Sequence, residues 1–284
     1  MKLASFTVAG RETFGIVVED AVIDVGAVAG DRFPTLVEAL GDMQALASLA
    51  ARAPDHALDA VTLLPPIPRS QRIICVGLNY KSHIAETGRE TPEYPMLFSR
   101  YPDSLVGHGT PLLRPKESDK FDFEGELAFV IGRRGRAIPA SRAMQYVAGY
   151  SCFNDGSIRD FQRHTSQFLP GKNFHHSGSF GPWLTTADEV PDLGARSLET
   201  ALNGATVQSA TLDDLLFGIE DLIAYISRIW PIQPGDVIAT GTTGGVGMAR
   251  KPPLWMKPGD RVSVKISGIG VLSNPVEQDT ASTA

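Results

Sequence analysis

The stretch 121–132, FDFEGELAFVIG, constrains this chain more than any other. Its residues alternate with the period of two that marks a β-strand. Side chains two apart point the same way, so Phe123, Leu127, Phe129 and Ile131 share one face and Glu124, Glu126, Ala128 and Val130 the other. Two carboxylates then stand side by side in an apolar strand. Like charges repel and burying either one is costly, so a positive charge is expected between them. The stretch contains no Lys or Arg. A divalent cation with oxygen ligands meets the need. The competing reading is an amphipathic strand with a wet outer face.

With 284 residues, 43% of them hydrophobic, the chain has core enough for one large domain or for a small and a large one. The net charge is −6 and the basic residues are scattered, so neither nucleic acid nor an anionic membrane is an expected partner. No apolar run approaches the roughly 18 residues of a membrane span. The first residues, MKLASFTVAG, enter a strand pattern directly, without a leader-like apolar region. The 28 Gly and 20 Pro imply a β-rich body with many loops. Cys75 and Cys152 lie in apolar surroundings and are expected as buried, reduced thiols of a cytoplasmic protein.

Read in order, residues 1–30 form short strands and residues 34–52 a helix with Leu36, Val37, Leu40, Met43, Leu46 and Leu49 on one stripe. Pro65, Pro66 and Pro68 mark a domain boundary, with a small α/β domain over 1–68 and the main domain over 69–284. The segment 88–115, dense in Gly and Pro, is expected to be irregular, and 84–110 to act as a lid. Strands are expected at 147–154, 236–240, 261–266 and 270–274. The longest helix is expected over 211–230, and residues 280–284 are expected to fray.

Three further features carry chemistry. Asp155 ends an apolar strand and adds a third carboxylate to Glu124 and Glu126, which with water makes an oxygen site suited to Mg²⁺ or Mn²⁺. His83 and Glu86 are three apart on a short helix, a spacing that suits either a general-base pair or an ordinary surface pair. Lys172 follows Pro-Gly and is either a solvated turn residue or an oxyanion partner. The run 241–247, GTTGGVG, matches neither nucleotide-binding template and is expected to bring its backbone close to a small ligand.

These segments, together with 77–83 (GLNYKSH), 149–155, 159–162 (RDFQ) and 235–242 (GDVIATGT), resemble the fumarylacetoacetate hydrolase (FAH) family over residues 69–275. The resemblance implies an α+β fold: a mixed β-roll or β-sandwich catalytic domain with a small α/β N-terminal domain, assembled as a homodimer. It implies metal ligands at Glu124, Glu126 and Asp155 and a water-activating dyad at His83 and Glu86. It also implies an oxyanion-stabilising Lys172, and substrate contacts at Arg159, Gln162 and Thr242. Arg100, where many relatives have Lys, is a candidate carboxylate clamp. Asn79 stands near a position where some members carry a fourth acidic ligand, so a three-carboxylate site is expected. The implied reaction is metal-dependent hydrolysis of a C–C bond in a β-diketo acid such as the acylpyruvates of aromatic catabolism. A metal-stabilised enolate leaves, and the attacking water is activated by the His–Glu pair. The alternatives are decarboxylation of an oxaloacetate-like β-keto acid, hydration or isomerisation at the same site, and a non-catalytic metal-binding protein.

Overall fold

The computed structural model of the protein describes residues 1–87 and 90–281. The organising stretch contributes the strand Gly125–Ile131, which lies between Val147–Asn154 and Val237–Thr242 and is antiparallel to both. All of its residues are buried, so a wet outer face is excluded. Leu127, Phe129 and Ile131 pack with Leu222, Ile226, Leu198 and Val264. Ala128 and Val130, on the opposite face, pack in a second core with Leu3, Phe14 and Leu36. Burial on both faces explains why this strand reads as nearly continuous apolar sequence after Glu126.

Among the described residues the main sheet has 12 strands. On one side of the centre it runs through Gly178–Thr186 to Lys2–Val8, Arg11–Val18 and Ala21–Asp24. On the other it passes to Ile73–Gly77, parallel to Val237–Thr242, and ends at Met96–Arg100. A sheet of five strands, including Ser197–Leu202, Arg261–Ile266 and Gly270–Gln278, shares the first core with the Ile219–Ile229 helix. The result is the expected mixed α+β fold, mostly sheet with short helices. Sheet and core both continue across residue 68. Leu3 pairs with Leu184, and Leu3, Phe14 and Leu36 share a core with Ile73, Ala128 and Phe180.

Three elements differ from their expectation. The helix expected over 34–52 is two helices, Leu36–Ala39 and Met43–Leu49. Thr35 and Asp42 accept from Val37 and Ala45 N–H groups as N-caps, and Gly41-Asp42 separates the two turns. The helix expected from residue 211 starts at Ile219. Leu215 and Leu216 prolong the apolar stripe in sequence, but Leu216 N–H donates to the Asn79 carbonyl and Phe217 N–H to Asn79 Oδ1, each at 2.8 Å. The segment 88–115 holds the strands Met96–Arg100, Leu105–Val106 and Leu112–Arg114. Within the expected lid, Gly88 and Arg89 lie outside the described residues, as do residues 282–284 of the expected frayed tail. No described helix is long and apolar enough to cross a membrane.

Candidate active site

A break in the organising strand builds the site. Phe121–Asp122 pairs with Ser157–Ile158, whereas Gly125–Ile131 pairs with Val147–Asn154, leaving Phe123 and Glu124 between the two ladders. Side chains take over there. Glu124 N–H donates to Asn154 Oδ1 at 3.0 Å and Gly125 N–H to Gln208 Oε1 at 2.9 Å. Asp155 N–H donates to the Glu124 carbonyl at 2.9 Å, which sets Asp155 beside Glu124 just past the end of its own strand. One oxygen each from Glu124, Glu126 and Asp155 lies within 4.8 Å of the other two, and all three residues are buried.

Three cations brace this floor. Lys172 Nζ is 2.6 Å from Glu124 Oε2 and 2.6 Å from Asp155 Oδ2. Arg159 Nη2 lies 2.6 Å from Glu124 Oε1, and its Nε donates to Asp122 Oδ2 at 2.8 Å. Arg100 Nη1 donates to Asp155 Oδ1 at 2.7 Å. With Asp122, four buried carboxylates meet three buried cations, leaving one negative charge in excess. It falls on Glu126, which accepts a hydrogen bond from Gly241 N–H at 2.9 Å but forms no ion pair among the described residues. Burial, reinforced by the charges of Asp155 and Glu124, pushes the Glu126 carboxyl well up. Glu124 goes the other way: burial raises it, but Arg159 and Lys172 outweigh burial and hold it at about 2. A buried all-oxygen cluster with one carboxyl that lacks a cationic partner, and resists ionising without one, fits a hard divalent cation such as Mg²⁺ or Mn²⁺.

Three amides of the glycine-rich run 241–247 turn onto acids, while Thr242 of the same run lines the cavity. Gly241 N–H serves Glu126, Gly245 N–H donates to Glu86 Oε1 at 2.9 Å, and Gly247 N–H donates to Asp122 Oδ1 at 2.8 Å. Gly241 has φ +97°, and a Cβ there would lie 2.7 Å from the Val76 carbonyl, so glycine is required. Gly171 has a similar role for Lys172. A Cβ at 171 would come within 2.4 Å of the Gln162 backbone nitrogen, so its absence lets the Leu169–Lys172 turn close on the Arg159–Gln162 turn.

Above the floor, the Lys81–Thr87 helix carries His83 and Glu86, with His83 Nδ1 3.4 Å from Glu86 Oε2. The start of that helix is tied down by Ser82 N–H donating to Asp214 Oδ2 at 3.1 Å. The cavity between has a volume of about 420 Å³. His83, Glu86, Lys172, Glu124, Glu126, Asp155, Arg159, Gln162 and Thr242 all line it, so nine of the ten residues singled out in the sequence meet at one place. Thr242 is braced from below, its hydroxyl donating to the Gly125 carbonyl and accepting from Gln208 Nε2, each at 2.9 Å.

Arg100 is the exception. Its guanidinium is buried behind Asp155, where it also donates to the Gly156 carbonyl at 2.9 Å and Ser177 Oγ at 2.8 Å. Its fork is filled by protein groups and it does not line the cavity, which corrects the expected substrate clamp. Asn79 is likewise structural, with Nδ2 donating to the Thr240 carbonyl at 2.8 Å and Oδ1 accepting from Phe217, so the acidic triad has no fourth ligand from that position. Asp122, Gln208 and Arg163 escaped the sequence reading. Asp122 lies two residues before Glu124 in the same alternation, and Arg163 lies four after Arg159, so both spacings were visible.

The chain belongs to the fumarylacetoacetate hydrolase family: residues 72–277 match the model of the fumarylacetoacetate (FAA) hydrolase C-terminal domain. It is 41% identical over 230 residues to the mitochondrial oxaloacetate tautomerase Fahd2a of Rattus norvegicus, covering 81% of this chain and 74% of that one. Fumarylacetoacetate hydrolase from psychrophilic Exiguobacterium antarcticum superimposes with a TM-score of 0.83 at 34% identity, over 98% of this chain and 100% of the other. Maleylpyruvate hydrolase from Sphingobium sp. SYK-6, solved with manganese(II) and pyruvate, has a TM-score of 0.82 at 28% identity, over 99% of this chain and 100% of the other.

Proposed function

We propose that this protein is a divalent-metal enzyme that interconverts the keto and enol forms of a small β-keto acid of the oxaloacetate type. The observation that carries the reading is a His–Glu pair and a surplus-charge carboxylate triad lining one cavity. Glu124, Glu126 and Asp155 are the residues to hold Mg²⁺ or Mn²⁺, which when bound supplies Lewis-acid polarisation of the substrate keto oxygen. Glu86, held by Gly245 N–H, favours the tautomer with the proton on His83 Nδ1, which makes Nε2 the basic atom. His83 takes a proton from the carbon next to the keto group, and the electron pair moves onto the keto oxygen. Lys172 places positive charge beside the developing oxyanion. Returning the proton to oxygen completes the tautomerisation. The support for this reaction is the 41% identity to an oxaloacetate tautomerase.

A second reading, C–C hydrolysis of an acylpyruvate, is supported by the cavity volume of about 420 Å³ and by the likeness of the chain to a maleylpyruvate hydrolase. There His83 takes its proton from water, and hydroxide attacks the distal carbonyl. Both readings assign a reducing compartment, supported by the free buried thiols of Cys75 and Cys152, whether cytoplasm or the mitochondrion for which the rat relative is named. They also keep the homodimer implied by the family. The test is to follow enol absorbance of oxaloacetate, and pyruvate release from acylpyruvates, with Mg²⁺, with Mn²⁺ and with EDTA. Metal-dependent acceleration of the first without the second supports the tautomerase, and the reverse supports the hydrolase. Rates equal to the EDTA control on both substrates end both readings.

A further inference from the structure

We infer that Arg163 selects keto dicarboxylates by pairing with the carboxylate at the substrate end farthest from the acidic triad, an inference that rests on the keto-acid reading above. Among the described residues, the other permanent cations of the cavity wall are committed. Arg159 serves Asp122, Glu124 and Gln162, and Lys172 serves Glu124 and Asp155. Arg163 lines the same cavity, is exposed, and makes no ion pair among the described residues. The nearest acid in sequence, Asp160, is engaged elsewhere: its Oδ1 accepts from Ser118 Oγ at 2.7 Å and from Phe161 N–H at 3.1 Å.

The placement follows from the Arg159–Gln162 turn. Arg159, Gln162 and Arg163 stand at i, i+3 and i+4, so they share one side, and all three line the cavity. Arg159 is buried and reaches Glu124. Arg163, one turn further along, is exposed. The wall also carries aromatic rings: Phe98 and Phe168 meet edge to face at 5.6 Å, and both line the cavity. A cavity whose acidic triad would hold a metal at one end, with Arg163 as the uncommitted cation elsewhere on its wall, matches a keto acid that carries a second carboxylate. A guanidinium fork suits the distal carboxylate better than a point charge does.

The test uses keto acids that differ only in the distal carboxylate. 2-Oxoglutarate is compared with 2-oxopentanoate, and 2-oxoadipate with 2-oxohexanoate, by calorimetry in the presence of Mg²⁺. The proteins are wild type, Arg163→Gln and Arg163→Lys. Wild type is expected to bind at least one diacid about tenfold more tightly than its twin, the worth of one charge-assisted pair at an open site. Arg163→Gln brings that ratio close to one, and Arg163→Lys restores part of it. A wild-type ratio near one for both pairs, or a ratio that survives in Arg163→Gln, overturns the inference. Binding of none of the four acids to wild type removes the keto-acid reading itself, and the inference with it.

Discussion

Asp24 and Glu126 are equally inaccessible, at 1% and 2% exposure, yet they sit in opposite electrical states. Asp24 ends the Ala21–Asp24 strand and caps the Val25–Ala29 helix. It accepts from Arg11, from Thr13 Oγ1 and from Ala27 N–H at 2.9 Å, with His56 Nε2 at 3.6 Å. Burial works against its charge, but the Thr13 and Arg11 hydrogen bonds outweigh it and hold the carboxyl below its ordinary value. Glu126 has one backbone donor and two acidic neighbours, and is pushed up. A carboxylate buried for structure closes its own charge. One buried for chemistry leaves a charge for something else to close.

The largest effect is expected at the unclosed charge. Glu126→Gln keeps an acceptor for Gly241 N–H and removes the carboxyl that has no cationic partner. Metal binding by calorimetry and all metal-dependent turnover should disappear, while the metal-free thermal midpoint stays equal to wild type or rises. Near-normal turnover in Mg²⁺ would contradict the assignment of the triad. The next effect belongs to the rim. His83→Ala, with metal binding intact, should lower kcat for tautomerisation or hydrolysis by about 10² to 10⁴, the usual worth of a positioned proton acceptor. Oxaloacetate decarboxylation, which needs no water-derived or carbon-derived proton to be removed, should fall much less. Equal losses on all reactions would make His83 a structural residue.

The triad was legible because each of its members lies in or beside a strand with a clear pattern. Val147–Asn154 and Arg261–Ile266 fall where the sequence places them, to the residue. The support around the triad was not, because it is made by side chains reaching backbone groups far away in sequence. Asp122 accepts from Gly247 and Met248 N–H groups more than 120 residues distant, and Gln208 bridges Gly125 to Thr242. No periodicity records such contacts. Arg100 was misread for the same reason: a fork-shaped cation near a site looks like a ligand clamp until its partners, Asp155 and Ser177, are known to be protein. The false helical turns before Ile219 arose because Leu215 and Leu216 continue the apolar stripe while Asn79 takes the backbone donors that a helix needs.

Asp122 supplies the third prediction, intermediate between the two carboxylates of the comparison. Four donors converge on it: Arg159 Nε and the N–H groups of Phe123, Gly247 and Met248, all at 2.8 or 2.9 Å. Asp122→Asn turns an amide NH₂ toward one of them and loosens Arg159, which pairs with Glu124. Metal affinity or kcat/KM should drop by about 10- to 100-fold, the usual cost of losing a partner behind a metal ligand. An unchanged metal affinity together with an unchanged kcat/KM would show that Arg159 does not need this anchor.

The smallest effect on activity, and none at the site, is expected from the closed carboxylate. Asp24→Asn leaves one acceptor oxygen but loses the charge that Arg11 and Thr13 serve, at a cost of about 1–3 kcal/mol in stability. For a chain of this size that lowers the thermal midpoint by roughly 2–4 °C per kcal/mol. The sign with pH follows from the direction of the shift. A carboxyl held below its ordinary 3.8 in the folded protein contributes stability that is present above that pH and is lost as pH falls through the lowered value. Wild type should therefore exceed Asp24→Asn at neutral pH, and the two should converge as the solution is acidified below about pH 4. Metal affinity and kcat should be the same in both. A difference in thermal midpoint that persists unchanged into acid would assign the loss to packing. A fall in metal affinity would mean that the two acidic clusters are coupled through the shared core, and the contrast between them would fail.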